Sequence, residues 1–123
     1  METTNLSALA LIPDGEQWPA IQSFRMASDR EVKIWPPHIN IFYPFLREQE
    51  FEHAVAMLSR ELASLGPLHI RFCTFGNFGG TVFLKPHCEE DPALAKLHAA
   101  CKAAFPGIPE KHDTFSPHLT IGQ

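Results

Sequence analysis

Pro37-His38-Ile39-Asn40-Ile41 near the start of the chain and Pro117-His118-Leu119-Thr120-Ile121 at its end are two versions of one five-residue phrase: proline, histidine, aliphatic, polar, isoleucine. Aliphatic residues alternating with polar ones make the pattern of a half-buried strand, whose successive side chains point to opposite faces. The histidine and the polar residue two places on then share one face, while the aliphatic residues turn to a core. Each phrase offers one imidazole beside one hydrogen-bonding group. Two such pairs across a cleft would supply a general base and a general acid near neutral pH, the range in which histidine titrates. A pair of ordinary strand histidines is the plainer reading. A third match to the shorter His-x-polar pattern, His112-Asp113-Thr114, lacks the aliphatic flanks and sits in a run of Pro, Lys and Asp that reads as loop. The full five-residue repeat is what sets the other two apart.

Outward from the first phrase, the doubled proline Pro36-Pro37 fixes an extended approach to a strand running to about Tyr43. Before it, the apolar run Leu6 to Ile12 predicts a buried strand. Asp14 then suits an N-cap, with Trp18, Ile21, Phe24 and Arg25 at helical spacing to about Ala27. Residues 28–33 are polar and predict a loop. After the first phrase, Phe51, Val55, Leu58, Leu62 and Leu65 form one stripe of a helix over 49–65, ended by Gly66-Pro67. Leu68 to Phe78 and Thr81 to Lys85 predict a hairpin whose turn is supplied by Gly76, Gly79 and Gly80, with an irregularity before Phe75. Asp91 caps a further helix, with Pro92 in its first turn, through Leu94, Leu97 and Cys101 to Phe105. A proline-rich loop delivers the second phrase. Helices mixed with hairpin connections favour an α+β fold with largely antiparallel sheets over a doubly wound parallel one.

The 123 residues are one domain's worth, 1–123, with 45% hydrophobic and 20% charged residues, as in globular proteins. No stretch approaches the roughly 20 apolar residues of a membrane span, and a signal-peptide layout is missing, so an intracellular, cytoplasmic protein is expected. Cys73, Cys88 and Cys101, odd in number and unpaired in spacing, suit a reducing compartment. The net charge of -4 argues against holding long nucleic acid by phosphate neutralisation and leaves a small nucleotide or an RNA end as partner. His98 with Cys101, and His87 with Cys88, match no compact zinc spacing, so no metal is expected.

The two phrases, and above all Ser116-Pro117-His118-Leu119-Thr120-Ile121-Gly122, resemble the 2H phosphoesterase superfamily, which includes bacterial RNA 2',3'-cyclic phosphodiesterases and 2'-5' RNA ligase-like proteins. That resemblance implies a bilobal α+β fold in which each lobe contributes one histidine to a shared groove. It implies a metal-independent, cofactor-free mechanism in which His38 and His118 are the catalytic acid-base pair and Asn40 and Thr120 hold the non-bridging phosphate oxygens. Asn40 departs from the family's usual Ser or Thr, although its amide still donates hydrogen bonds. The chain ends three residues after Thr120, so by this comparison the second lobe is incomplete.

Phe42 shares His38's strand parity, and Phe115 directly precedes the second phrase, so each is a candidate base-stacking ring, although core packing is the simpler role. Tyr43 falls on the opposite parity and predicts core packing. Arg71 and Lys85 on the hairpin could attract phosphate, but a solvated surface is the simpler role. A rival reading keeps the groove as a nucleotide or RNA-end binding module without catalysis. Retention of two titrating histidines speaks against it, because binding a phosphate needs neither.

Overall fold

The computed structural model describes residues 2–90, 92–110, 112 and 114–123. Among these residues the architecture is mixed α+β, with three α-helices and seven strands built as two compact units. The expected cap Asp91 and the Asp113 of the third His-x-polar match lie outside the described residues.

The first unit comprises Met1–Leu9, Ile41–Ile70 and Cys88–Ser116. Strand β1 (Thr3–Thr4) pairs antiparallel with β4 (Phe45–Leu46), and the Ser7 hydroxyl donates to the Leu46 carbonyl. Helices α2 (Phe51–Leu62) and α3 (Ala93–Ala104) pack together. Its buried apolar residues include Ile41, Phe42, Phe45, Leu46, Ala54, Leu94, Leu97, Cys101, Ala104, Phe105 and Ile108. The α2 stripe differs from expectation. Val55 is 62% exposed and Ala54 is buried, so the inward face is rotated by about one residue. Tyr43 is not core: it is exposed, and its hydroxyl donates to the Asn5 carbonyl at 2.8 Å.

The second unit comprises Ala10–Asn40, Arg71–His87 and Pro117–Gln123. Strand β2 (Leu9–Leu11) is hydrogen-bonded to β3 (Ile39–Phe42), the strand of the first phrase. A 3-10 turn at Gly15–Gln17 leads into α1 (Trp18–Ser28), with Pro19 in the first turn where its missing N–H costs nothing. Strands β5 (Ile70–Phe78), β6 (Thr81–Cys88) and β7 (Leu119–Gly122) form a sheet in that order. Gly79 takes φ 58° in the β5–β6 turn, a left-handed conformation that favours glycine. Strand β7 runs antiparallel to β6, with Phe83 opposite Thr120 and Leu84 opposite Leu119. Helix α1 packs on β7 so closely that a Cβ at Gly122 would lie 2.7 Å from the Ser28 Cβ.

One hydrophobic cluster serves this unit: Ile21, Ile39, Leu84, Leu119 and Ile121, with Leu11 and Phe72 packed against it. The middle residue of each phrase is therefore in the same core, Ile39 at 1% exposure and Leu119 at 0%. Sliding either strand by one residue would expose that side chain, forfeiting roughly 1.5–3 kcal/mol, and would bury the histidine. The outward direction of the motif histidines is thus set by core burial.

Candidate active site

His38 immediately precedes β3 and Asn40 lies on it, half-buried and exposed respectively. His118 immediately precedes β7 and Thr120 lies on it, both half-buried. All four belong to the second unit. The expectation that each lobe contributes one histidine is corrected: Ile39 and Leu119 share one core, which draws both phrases into a single unit.

The His38 ring lies 6.0 Å from Trp35, and its Nδ1 is 2.7 Å from the Pro36 carbonyl oxygen. A carbonyl only accepts, so Nδ1 carries the hydrogen and the neutral ring presents a lone pair at Nε2. That is the tautomer of a base aimed away from its own backbone. His118 lies between two rings, 5.3 Å from Phe78 in an edge arrangement and 5.2 Å from Phe83. Phe78 is 54% exposed and so retains apolar surface beside an imidazole.

Phe42 and Phe115 both pack against His98. Phe42 is buried with its ring 5.7 Å from His98, and Phe115 stacks on His98 at 4.3 Å with 10° between the planes. The three rings form one aromatic cluster in the first unit, Phe115 stacked on His98 and Phe42 tilted against it, with Glu110 2.7 Å from His98 Nε2. Burial leaves Phe42 no face for a base. Parity had aligned it with His38, but Ile41 and Phe42 are both buried, so the alternation ends there. The rings that flank His118, Phe78 and Phe83, come from the β5–β6 hairpin. Their sequence signal is closeness to the turn glycines, Phe78 directly before Gly79 and Phe83 three residues after Gly80, in strands whose neighbours are unknown until the sheet forms.

A buried ion pair braces both phrases. Arg25, 1% exposed, donates from Nε to Asp29 at 2.8 Å, from Nη1 to Gln22 at 2.8 Å and from Nη2 to the Trp35 carbonyl at 2.7 Å. Asp29 accepts in turn from the Glu31 backbone and from the Gln123 amide, each at 2.9 Å. The segment leading to His38 and the residue after β7 are therefore tied to one charge pair. Burial acts to raise the Asp29 pKa, but the hydrogen bonds from Arg25, Glu31 and Gln123, with the Arg25 charge, outweigh it and hold the carboxyl below its ordinary value.

Among the described residues one group has metal-ligand character: His69, Glu89 and Glu90 in the first unit, all exposed. The contact there is already an ion pair, His69 Nδ1 to Glu90 at 2.6 Å, and Glu90 also accepts from the His69 backbone at 2.8 Å. Hydrogen bonds from the His69 backbone and ring lower the Glu90 pKa to about 2, and the Glu90 hydrogen bond and charge raise that of His69. The His69 ring is thus expected to titrate above the ordinary histidine value of about 6.5 in an NMR pH series and to return toward it in Glu90→Gln. An unshifted His69 would show that the pair does not persist in solution. Cys101 is buried on α3, where burial raises its thiol pKa, and His98 on the same helix is engaged by Glu110.

No described helix is long and apolar enough to cross a membrane. A family model described as "2'-5' RNA ligase superfamily" matches residues 13–123. Proteins named "Putative phosphoesterase" are similar to this chain. Those of Geobacillus kaustophilus and Geobacillus thermodenitrificans are each 33% identical over 106 residues, covering 82% of this chain and 59% of the relative. That of Halalkalibacterium halodurans is 31% identical over 119 residues, covering 94% of this chain and 68% of the relative. The chain thus spans about three fifths of the length of the two Geobacillus relatives, 59% in each.

Proposed function

The chain belongs to the 2'-5' RNA ligase superfamily, and from that premise we propose that it is a metal-independent phosphoesterase acting on a 2',3'-cyclic phosphate or a 2'-5' linkage at an RNA end or in a nucleotide. The observation that carries the reading is the shared core. Ile39 and Leu119 are buried in one cluster, so the flanking His38 and Asn40, and His118 and Thr120, are the residues both strands turn away from it. That supports one site served by two imidazoles and two neutral hydrogen-bonding groups.

In hydrolysis of a 2',3'-cyclic phosphate, His38 Nε2 takes a proton from water as the water oxygen bonds to phosphorus. The bond from phosphorus to one ribose oxygen breaks, and that oxygen takes a proton from His118. The two rings end with their protonation states exchanged and reset through solvent. The His38 tautomer favours it as the base in this direction, leaving His118 the acid. Asn40 and Thr120 would donate to the non-bridging oxygens, where charge grows in the transition state. Turnover of 2',3'-cyclic nucleotides in the presence of a metal chelator tests this. Activity that survives chelation is the expected result, and a folded protein that binds but never turns over such nucleotides would favour a binding module instead.

A further inference from the structure

We infer that the outward face of strand β6 carries a second anion site, formed by Lys85 and His87 with Thr74, which takes the phosphodiester adjoining the reacting one, so that the substrate is an oligonucleotide end rather than a mononucleotide. The inference rests on the proposed phosphoesterase reading and deepens it.

Leu84 is in the core, so Phe83, Lys85 and His87 fall on the opposite face of β6. The register sets Phe83 opposite Thr120, and residues opposite each other across a ladder share a face. The contact of the Phe83 ring with His118 agrees with this. Continuing the antiparallel register one residue past Leu84–Leu119 brings Lys85 level with His118. These residues all belong to the second unit.

The neighbouring strand leaves room for them. A Cβ at Gly76 on β5 would lie 2.5 Å from Phe83 Cε1 and 2.9 Å from Lys85 Cε, so the Phe83 ring and the Lys85 stem both rest on bare backbone there. Lys85 is exposed and has no ion-pair partner among the described residues. His87 Nε2 lies 3.1 Å from the Thr74 hydroxyl. With that hydroxyl donating, Nδ1 carries the hydrogen and becomes a donor for an anion. Side chains on one strand face repeat every two residues, about 6.8 Å, a step comparable to that between phosphates along an extended single strand. An acidic protein does not hold long nucleic acid, but two donors beside the reacting histidine suffice for one further phosphate. The half-exposed ring of Phe78 lies beside His118 for the base between them.

The test compares two substrates, 2',3'-cyclic AMP and the dinucleotide ApA ending in a 2',3'-cyclic phosphate, on the wild type, Lys85→Met and His87→Gln. Met keeps the stem over Gly76 and removes the charge. The wild type is expected to favour the dinucleotide in kcat/KM by at least about tenfold, as for one charge-assisted hydrogen bond, and the ratio should fall toward one in both variants. Binding of ApA 3'-phosphate and adenosine 3'-phosphate is measured alongside. Loss of one phosphate contact should reduce the salt dependence of dinucleotide affinity, the slope of log K on log salt, by about 0.7 in Lys85→Met. A wild-type ratio near one, or a ratio unchanged in both variants, overturns the site. If neither substrate is turned over, the phosphoesterase reading fails and binding decides the site. A dinucleotide preference lost in Lys85→Met supports it, and equal or absent binding of both probes overturns it.

Discussion

His38→Ala and His118→Ala are each expected to lower kcat/KM on 2',3'-cyclic nucleotides by about 10²–10⁴-fold, the range that positioned acid or base catalysis supplies, with the folded structure intact. The half-buried rings lie outside the hydrophobic cluster that holds their neighbours, so removing either should cost about 1 kcal/mol or less, well short of a core truncation. Rate and stability are thereby separable, and matched urea midpoints would show it. The double variant should be little worse than the poorer single one. Acid and base serve one transition state, and once one is missing the other has a displacement it cannot complete. Two losses that multiply would mean that the histidines act in separate steps. Asn40→Ala and Thr120→Ala remove neutral donors and should cost less than the histidines when the oxygens can turn to water, and up to about 10²–10³-fold when they cannot. A histidine variant that keeps most of the wild-type rate would remove that residue from the chemistry.

The parts of this site legible in the sequence are those set by local periodicity. Ile39 and Leu119 follow from the two-residue alternation, and the β5–β6 turn from paired glycines, one of which takes a positive φ. The parts that were not legible depend on which strands become neighbours. Phe78 and Phe83 reach His118 only through the order β5-β6-β7, and β1 and β4 are two-residue strands whose pairing joins positions about forty residues apart. Phe42 shows the limit of parity: the alternation that turns Asn40 outward stops at Ile41, and the next ring is buried against His98. Arg25 is the instructive case. It stands at helical spacing with Ile21, a position that asks for an apolar residue, and it is buried there because Asp29 sits one turn further on. The i, i+4 pair is visible in the sequence, but its burial depends on Trp35 and Gln123 arriving from distant segments.

Arg25→Met is accordingly expected to destabilise the protein by about 3–5 kcal/mol, the cost of stranding one partner of a buried ion pair, against a total of about 5–15 kcal/mol for a domain. Methionine keeps the stem's packing, so the loss reports the guanidinium. It leaves the Asp29 carboxylate buried with only the Glu31 and Gln123 donors, and it releases the Trp35 carbonyl, three residues before His38. Arg25→Lys keeps the charge but cannot make the three divergent bonds from Nε, Nη1 and Nη2, and should fall between. Arg25→Met combined with Asp29→Leu removes both charges and should be more stable than Arg25→Met alone. The pH dependence has a definite sign. A carboxyl whose folded-state pKa is depressed contributes stability that is present above its ordinary value of about 3.9 and is lost as pH falls through the lower folded-state value. The wild type should therefore lose stability through the acid range below about pH 4, and Arg25→Met should lose less there, because it has less of that stabilisation to give up. Urea midpoints across pH for the four proteins measure all of this. Equal midpoints for Arg25→Met and the double variant would mean that the two charges are not coupled. The brace tying the approach to His38 to the end of β7 would then be packing alone.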